Sequence, residues 1–286
     1  MFDDKNIKPM LLVKIPFCFE NKYLYEIKFD GIRALIYVNK KEINIRTRNN
    51  VDVTHLFPEL DGIRNIVGRD FCIFDGEIVL FDKGKPSFSS LQKRLRIKST
   101  ERIKDASLDN PVQFVVFDII YQNKDLTNKT LVERKKILDK YKDTDYFVKS
   151  KVYSDGKKLF ASVKKMGLEG IVAKEKTSKY YVNKRSNVWI KLKNYQTDEF
   201  YIGGYVTNST SYSLLLGEKK NNKLYYVGKI KVSNNKDITK EVLAKKKTSN
   251  PFCNYEGDGI FIEPNIKITI NYLEKTKGNL LRHPFM

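Results

Sequence analysis

The sequence predicts an α+β fold with largely antiparallel sheets, followed by a small closed β-barrel. Three observations predict it. Apolar, β-branched runs alternate with stretches of helical period over the first part of the chain; short strand-like runs alone fill most of the last part; and Gly, Asn and Asp punctuate both. A length of 286 residues with 41% apolar and 12% aromatic content is enough for two cores of ordinary size.

In the first part YLYEIK, ALIYVNKKEINIRT, FCIFDGEIVLF and FVVFDIIY read as strands, because β-branched and aromatic residues recur between turn residues. SSLQKRLRI, LVERKKILDKY and GKKLFASVKKMG space apolar residues three and four apart, which lays them on one face of a helix. After WIKLKNYQTDEF come EFYIGGYV, SYSLLLGE, KLYYVGKIKV, GIFIEP and IKITINYLE, interrupted by one basic helical stretch, KDITKEVLAKKK. Five short strands in so few residues suit an OB-fold, so the expected domains are 1–197 and 198–286.

Lys and Arg number 54 against 34 Asp and Glu, a formal charge of +20, and the excess lies on both sides of the expected boundary. That distribution favours a long polyanion touched by two lobes; an anionic membrane surface and solubility alone are the alternatives. Cys18, Cys72 and Cys253 are too far apart for a disulfide framework or a Cys-x-x-Cys metal site, which implies a reducing compartment. MFDDKNIKPM lacks the basic and apolar regions of a leader, and no apolar run approaches the ~18 residues of a membrane span. An intracellular protein with no membrane contact is the expectation.

The chemistry gathers first at YEIKFDGIRALIYV. Alternation puts Glu26 and Lys28 on one face of a strand and Tyr25 and Ile27 on the other; Asp30-Gly31 turns the chain, and Arg33 follows. A lysine at a rigid strand end, where desolvation disfavours the ammonium form, is a candidate nucleophile, although K-x-D-G alone also describes a solvated lysine beside a turn. Its company decides. Arg48 closes the next hairpin ahead of VTHLFPEL, and Phe74-Asp75-Gly76-Glu77 sets a carboxylate in an apolar strand, where a charge is costly without a cation or metal opposite. Leu168-Glu169-Gly170-Ile171-Val172-Ala173-Lys174 repeats the device. In Trp189-Ile190-Lys191-Leu192-Lys193 two lysines share a strand face, which makes most sense with a phosphate between them.

In this order and rough spacing, Lys28-Phe29-Asp30-Gly31-Ile32-Arg33, Arg48, Asp75-Gly76-Glu77, Phe117-Asp118, Glu169 to Lys174 and Trp189 to Lys193 resemble the motifs of the ATP-dependent DNA ligases. Gly278-Asn279-Leu280-Leu281-Arg282-His283-Pro284-Phe285 directs the resemblance to compact bacterial ligases and the ligase domain of bacterial end-joining enzymes. The likeness runs from about Tyr25 to the C-terminus. It implies a nucleotidyltransferase (adenylation) domain over 1–197 and an OB-fold domain over 198–286.

The resemblance also implies the chemistry: a lysyl-AMP intermediate, transfer of AMP to a DNA 5′-phosphate, and sealing by a neighbouring 3′-hydroxyl. Lys28 would be the nucleophile, with Lys191 and Lys193 holding the α-phosphate and favouring the neutral amine by like-charge repulsion. Glu169 would serve the metal and lysine network and Glu77 the ribose or metal, with Mg²⁺ the expected ion and Mn²⁺ its substitute. Phe117 would stack on adenine, Glu26 would read the base edge, and Lys174 would join the nucleotide contacts. Arg33 and Arg48 would meet AMP and the nick phosphate, where a guanidinium fork suits phosphate oxygens.

The residues leave several readings open. Phe117 is equally a core residue of its strand, Glu77 or Glu169 could pair with a structural arginine, and Arg185 is a surface or an active-site phosphate contact. His55 and His283 read as turn or packing residues. Capping guanylyltransferases and RNA ligases share the lysine motif, and a non-catalytic DNA-binding relative would carry the same charge. The Leu-Arg-His-Pro ending and FPEL favour DNA ligase, and Lys28, Glu77, Glu169, Lys191 and Lys193 together favour catalysis. The implied partners are ATP and duplex DNA with nicks or breaks, with end-binding or repair proteins positioning a monomeric enzyme in a bacterial cytoplasm, at the nucleoid. Family members usually continue past Leu-Arg-His-Pro into an Arg-x-Asp/Glu-Lys tail. This sequence stops at Met286, which implies a longer natural chain or a slower first step.

Overall fold

A computed structural model describes residues 1–208, 211–232, 236–276 and 278–286. The chain divides into two compact units, Met1–Lys193 and Asn194–Met286, with the break just ahead of the 197/198 boundary expected from composition. Both units combine sheet and helix, as the α+β reading requires.

The first half of the N-terminal unit contains β1 (Leu11–Val13), β2 (Tyr23–Ile27), β3 (Ile32–Val38), β4 (Ile43–Thr47), α1 (Ile63–Val67), β5 (Cys72–Asp82) and β6 (Lys85–Pro86). Next come α2 (Phe88–Leu95), α3 (Thr100–Asp109), β7 (Val112–Gln122), α4 (Leu131–Leu138), β8 (Phe147–Lys149), α5 (Gly156–Met166), β9 (Gly170–Glu175) and β10 (Arg185–Lys193). Helix starts obey capping chemistry. The side chains of Ser87, Ser99 and Asp155 accept from the first turns of α2, α3 and α5, and Thr130 with Glu133 forms a reciprocal capping box on α4. Helix α3 leaves no apolar stripe in the sequence, because TERIKDASLD carries few apolar residues and buries only Ile103 and Ser107.

Two sheets build this unit. One runs β4-β3-β5-β7-β8 with β6 folded back on β5, and the other runs β1-β10-β9-β2. All pairings are antiparallel except β7 with β8 and β1 with β10. Period-two alternation sends Ala34, Ile36 and Val38 of β3 into a core with Phe57, Phe74, Ile78 and Phe114, while Leu35 and Tyr37 join Met10, Ile73, Tyr180 and Trp189. Trp189 belongs to β10, so this second cluster lies between the sheets and joins them.

A register break interrupts the pairing of β5 with β7. The step from Asp75 to Gly76 on β5 faces a step from Asp118 to Val116 on β7, which leaves Phe117 as an extra residue with no partner across the strand. Bulges of this kind re-aim a side chain. Gly76 is part of the same device, since a Cβ there would meet the Phe114 ring at 2.5 Å and Val115 O at 2.7 Å.

In the C-terminal unit β11 (Gln196–Asn208), β12 (Ser211–Lys220), β13 (Lys223–Val232), α6 (Lys236–Leu243) and β14 (Ile260–Tyr272) succeed one another in order. The strands form an antiparallel sheet ordered β13-β12-β11-β14. GIFIEP and IKITINYLE, expected as two strands, are one. Pro264 stands where the register shifts, opposite the step from Ile202 to Gly204, and a residue without an amide proton is tolerated at such a break. The segment after β14 reaches both sheet edges: Leu281 N donates to Val227 O of β13, and Phe285 bridges back to Asn271 of β14. His283, at a positive φ of 52°, falls in this returning segment, as its reading as a turn or packing residue implied.

Gly170 begins β9 at φ 151°, and a Cβ there would lie 2.1 Å from Leu192 O of β10. Gly170→Ala is therefore expected to lower the unfolding free energy of the N-terminal unit by about 2–4 kcal/mol, from strain and a forced backbone shift together. Urea denaturation of the full chain measures this, and an unchanged midpoint would contradict it.

Candidate active site

Strands of both N-terminal sheets deliver side chains to two adjoining cavities. The first is a narrow slot lined by Glu26 of β2, Phe117 of β7, Lys174 of β9 and Trp189 of β10, together with Leu12, Ile27 and Val172. The second is a cleft of about 440 Å³ lined by Arg48, Arg185, Lys191 and Lys193. Lys28, Arg33 and Glu77 line both. One cavity is aromatic and closed in, the other cationic, and Lys28 stands at their junction.

Lys28 directly follows β2, and its amide donates to Gly170 O at 2.9 Å, so its side chain leaves from a fixed strand end. Alternation holds as expected: Tyr23, Tyr25 and Ile27 pack on one side with Ile190 and Leu192, leaving Glu26, Lys28, Lys191 and Lys193 to the site. Glu169 joins two of these lysines. Its Oε2 lies 2.7 Å from Lys28 Nζ and its Oε1 3.1 Å from Lys193 Nζ. Like-charge crowding acts on Lys191, whose ammonium is pushed below the usual lysine range by burial and then by Lys193, Arg185 and Lys28.

Glu77 lies across β3–β5 from Arg33. Burial pushes its carboxyl from the ordinary 4.5 up to about 8; Lys28 and Arg33 oppose the shift, while Glu169 and Asp75 add to it. Among the described residues no group of three His, Cys, Asp or Glu side chains could hold a metal ion by itself. Two neighbouring carboxylates, one of them held from ionising, nevertheless fit a hard cation that takes one or two carboxylates and completes its shell with phosphate oxygens and water.

In the slot, Glu26 is 2% exposed and meets two ammonium groups, Lys135 Nζ at 2.7 Å and Lys174 Nζ at 3.1 Å from its Oε1. Burial works against its ionisation, yet Lys135 and Lys174 hold its carboxyl below the usual range. Lys174 Nζ also stands 4.2 Å from the Phe117 ring centroid and 4.5 Å from that of Trp189. The bulged Phe117 is the half-buried member of an otherwise buried run, edge-on to Trp189 at 6.4 Å while also lining the slot. It therefore packs against the core and lines the cavity at once.

All ten residues singled out from the sequence belong to these two cavities or bridge their lysines, with one qualification of role. Arg33, expected with Arg48 to meet AMP and the nick phosphate, lines both cavities and also holds Asp75 through two hydrogen bonds of 3.0 and 2.7 Å. Asp75 is fully buried and also accepts from Tyr180 OH at 2.6 Å. Drawing Arg33 away would leave that carboxylate short of a cation, a loss of about 3–5 kcal/mol. Its guanidinium lies 5.3 Å from the Phe117 centroid and 5.9 Å from that of Trp189, so it forms part of the slot's wall. Asp75, Tyr180 and Trp189 lie in or beside the motifs, yet nothing in the sequence gives them a role. Lys135 lies outside the motifs altogether.

Comparison with known proteins places this geometry. The family model described as ATP dependent DNA ligase domain matches residues 9–193. The SPbeta prophage-derived DNA ligase-like protein LigB of Bacillus subtilis (strain 168) is 31% identical over 97% of this chain and 97% of its own length. The multifunctional non-homologous end joining DNA repair protein LigD of Mycobacterium tuberculosis (strain ATCC 25618 / H37Rv) is 28% identical over 99% of this chain, which spans only 38% of that relative. The solved structure of mycobacterial DNA ligase D complexed with ATP and MES superposes with a TM-score of 0.62 at 25% identity, covering 98% of this chain and 93% of that one.

A carboxyl whose folded pKa lies above its unfolded one contributes stability below the unfolded value and loses it as pH rises through the folded value. For Glu77 that window runs from about 4.5 to about 8. Glu77→Gln should therefore melt at a higher temperature than the wild type at pH 8, with the difference shrinking towards pH 5. Melting curves across this range check it, and a difference that grows on acidification would be the wrong sign.

Proposed function

We propose that this chain, which belongs to the ATP-dependent DNA ligase family, seals 5′-phosphate/3′-hydroxyl breaks in duplex DNA by three successive nucleotidyl transfers centred on Lys28. In the first, Lys28 Nζ attacks the α-phosphorus of ATP, the bond from that phosphorus to the β-phosphate oxygen breaks, and pyrophosphate leaves. In the second, an oxygen of the DNA 5′-phosphate attacks the same phosphorus and the P–N bond breaks. In the third, the 3′-hydroxyl attacks the 5′-phosphorus, and AMP departs as the phosphodiester forms. Such transfers depend on in-line positioning and charge neutralisation, which a fixed lysine in a cationic cleft supplies.

The observation that carries this reading is the position of Lys28 Nζ, 2.7 Å from Glu169 where the aromatic slot meets the cationic cleft. Glu169 is placed to take the proton that Lys28 gives up. Lys191 and Lys193 face the α-phosphate, and the shifted ammonium of Lys191 gains most from an anion set beside it. Phe117 and Trp189 accommodate the adenine ring, with Glu26 and Lys174 at its edge. Arg48, exposed on the cleft rim, suits the phosphate of the broken strand. Glu77 and Glu169 would hold Mg²⁺, or Mn²⁺ in its place, which when bound would neutralise charge on the phosphate oxygens.

The two units, Met1–Lys193 as nucleotidyltransferase domain and Asn194–Met286 as OB-fold domain, each carry more Lys and Arg than Asp and Glu, which with the net charge of +20 suits a duplex DNA partner. Phosphate contacts position such a protein without reading sequence. No helix among the described residues is long and apolar enough to cross a membrane. A monomer working in a bacterial cytoplasm at the nucleoid, with end-binding or repair proteins guiding it to breaks, is the reading that the relatives' names and this charge support.

Intact mass measurement after incubation with ATP and Mg²⁺, without DNA, should show one adenylyl group on the wild type and none on Lys28→Ala. Full labelling of Lys28→Ala would end the proposal, and labelling by GTP in preference to ATP would favour a capping enzyme instead. Affinity for a nicked DNA duplex should fall by about 10³-fold or more between 50 and 200 mM salt, and a salt-insensitive affinity would contradict the electrostatic reading.

A further inference from the structure

Helix α4 grips the walls of the aromatic slot with two adjacent residues. Arg134, fully buried, holds Asp118, the residue after Phe117 on β7, through hydrogen bonds of 2.8 and 2.9 Å. Lys135 reaches from the same turn to Glu26 of β2, with 2.7 Å between Nζ and Oε1. The backbone ties the helix down as well, since Val132 N donates to Lys176 O just beyond β9. One rigid element thus fixes the strand carrying the slot's aromatic ring and the strand carrying its carboxylate.

The charge count at Glu26 makes Lys135 conspicuous. Lys174 alone reaches both carboxylate oxygens, at 3.1 Å each, and would already neutralise the group. A second buried ammonium is electrostatically redundant and works against the first, since Lys135 adds to the burial that pushes Lys174 down to about 8. Such an arrangement is unfavourable unless it fixes a geometry. Its result is a carboxylate held from behind. Among the described residues neither Glu26 Oε1 nor Lys135 Nζ has a partner in a hydrogen bond of normal geometry, so the contact between them is ionic, and Glu26, which lines the slot while Lys135 does not, keeps its carboxylate as an acceptor there. Lys174, by contrast, lines the slot as a donor.

We propose that Lys135, which stands behind Glu26 and outside the slot, is the positioning residue that makes this corner selective for a 6-aminopurine nucleotide. An acceptor on Glu26 and a donor on Lys174 match the amino group and ring nitrogen of adenine. They oppose the carbonyl oxygen and ring N–H of guanine, where donor and acceptor are exchanged. Lys135 keeps the acceptor where the amino group arrives. The inference rests on the lysyl-nucleotide chemistry proposed above and concerns only which base that chemistry accepts.

The test measures covalent uptake of AMP and GMP against nucleotide concentration in the full chain with Mg²⁺, for the wild type, Lys135→Met, Lys135→Arg and the double variant Lys135→Met/Glu26→Gln. Lys135→Met should raise KM for ATP by about 10-fold or more, leave the rate at saturating ATP within about twofold, and shrink the preference for ATP over GTP by about 10-fold, the worth of one charged hydrogen bond. Lys135→Arg should restore both values. The double variant should lose no further selectivity than Lys135→Met, because the two act as one unit. Wild-type KM and base preference in Lys135→Met would overturn the proposal, and so would a fall in the saturating rate at unchanged base preference. Should Lys135→Met fail to fold, wild-type base preference in the double variant overturns it equally. A wild type that takes up neither nucleotide refutes the ligase chemistry itself, whereas a labelled wild type with an indifferent Lys135→Met refutes only the role of Lys135.

Discussion

The bridge from Glu169 to Lys28 and Lys193 organises the site. One carboxylate between two ammonium groups, at 2.7 and 3.1 Å, lets cations crowd near the chain end of β2 without forcing the strands apart. The pairing of β9 with both β2 and β10 makes the bridge possible, because it fixes Gly170, next to Glu169, opposite Lys193 and within a hydrogen bond of Lys28 N. Cross-strand register here does what a dedicated loop would do less rigidly. It places Lys28, the Glu169 carboxylate beside it and the pair Lys191 and Lys193 on the backbone of one sheet.

Around this bridge the unit manages buried charge by pairing. Arg33 with Asp75, Arg134 with Asp118 and the two lysines with Glu26 each satisfy a carboxylate that the strands bury. The first two pairs serve as structure, closing the space between sheets that Trp189 and Tyr180 fill. Glu77 is different. Among the described residues no ion pair fixes its charge, and burial raises its carboxyl to about 8 against the pull of Lys28 and Arg33. Sites that bind a charged substrate characteristically withhold such compensation until the substrate arrives, at a cost in stability.

Much of this was legible in order along the chain. Strands β2, β3, β5, β7 and β10 and helices α2, α4 and α5 arise from apolar periodicity, and the motif residues reached the two cavities because motif chemistry rides on strand alternation. Legibility failed where a residue's partner is remote in sequence. Arg33 and Asp75 are 42 residues apart, and no local pattern says that a guanidinium suited to phosphate is already engaged. Lys135 did leave a trace. Leu131, Arg134, Lys135 and Leu138 are the buried residues of α4, at the three- and four-residue spacing of an inward face, so two basic residues sit where apolar ones were expected.

The sequence by itself determined most of the elements, the two-part division and the residue types required for nucleotidyl transfer, because propensity, alternation and motif spacing act over a few neighbouring residues. Only the tertiary structure decided which of those side chains are available. The two-for-one step on β7 at Phe117 depends on how β5 pairs with it, and the commitment of Arg33 or the second cation on Glu26 depends on strands and helices brought together from far along the chain. Burial makes each such pairing compulsory, since a charge taken out of water must find its counterpart wherever the fold has put it.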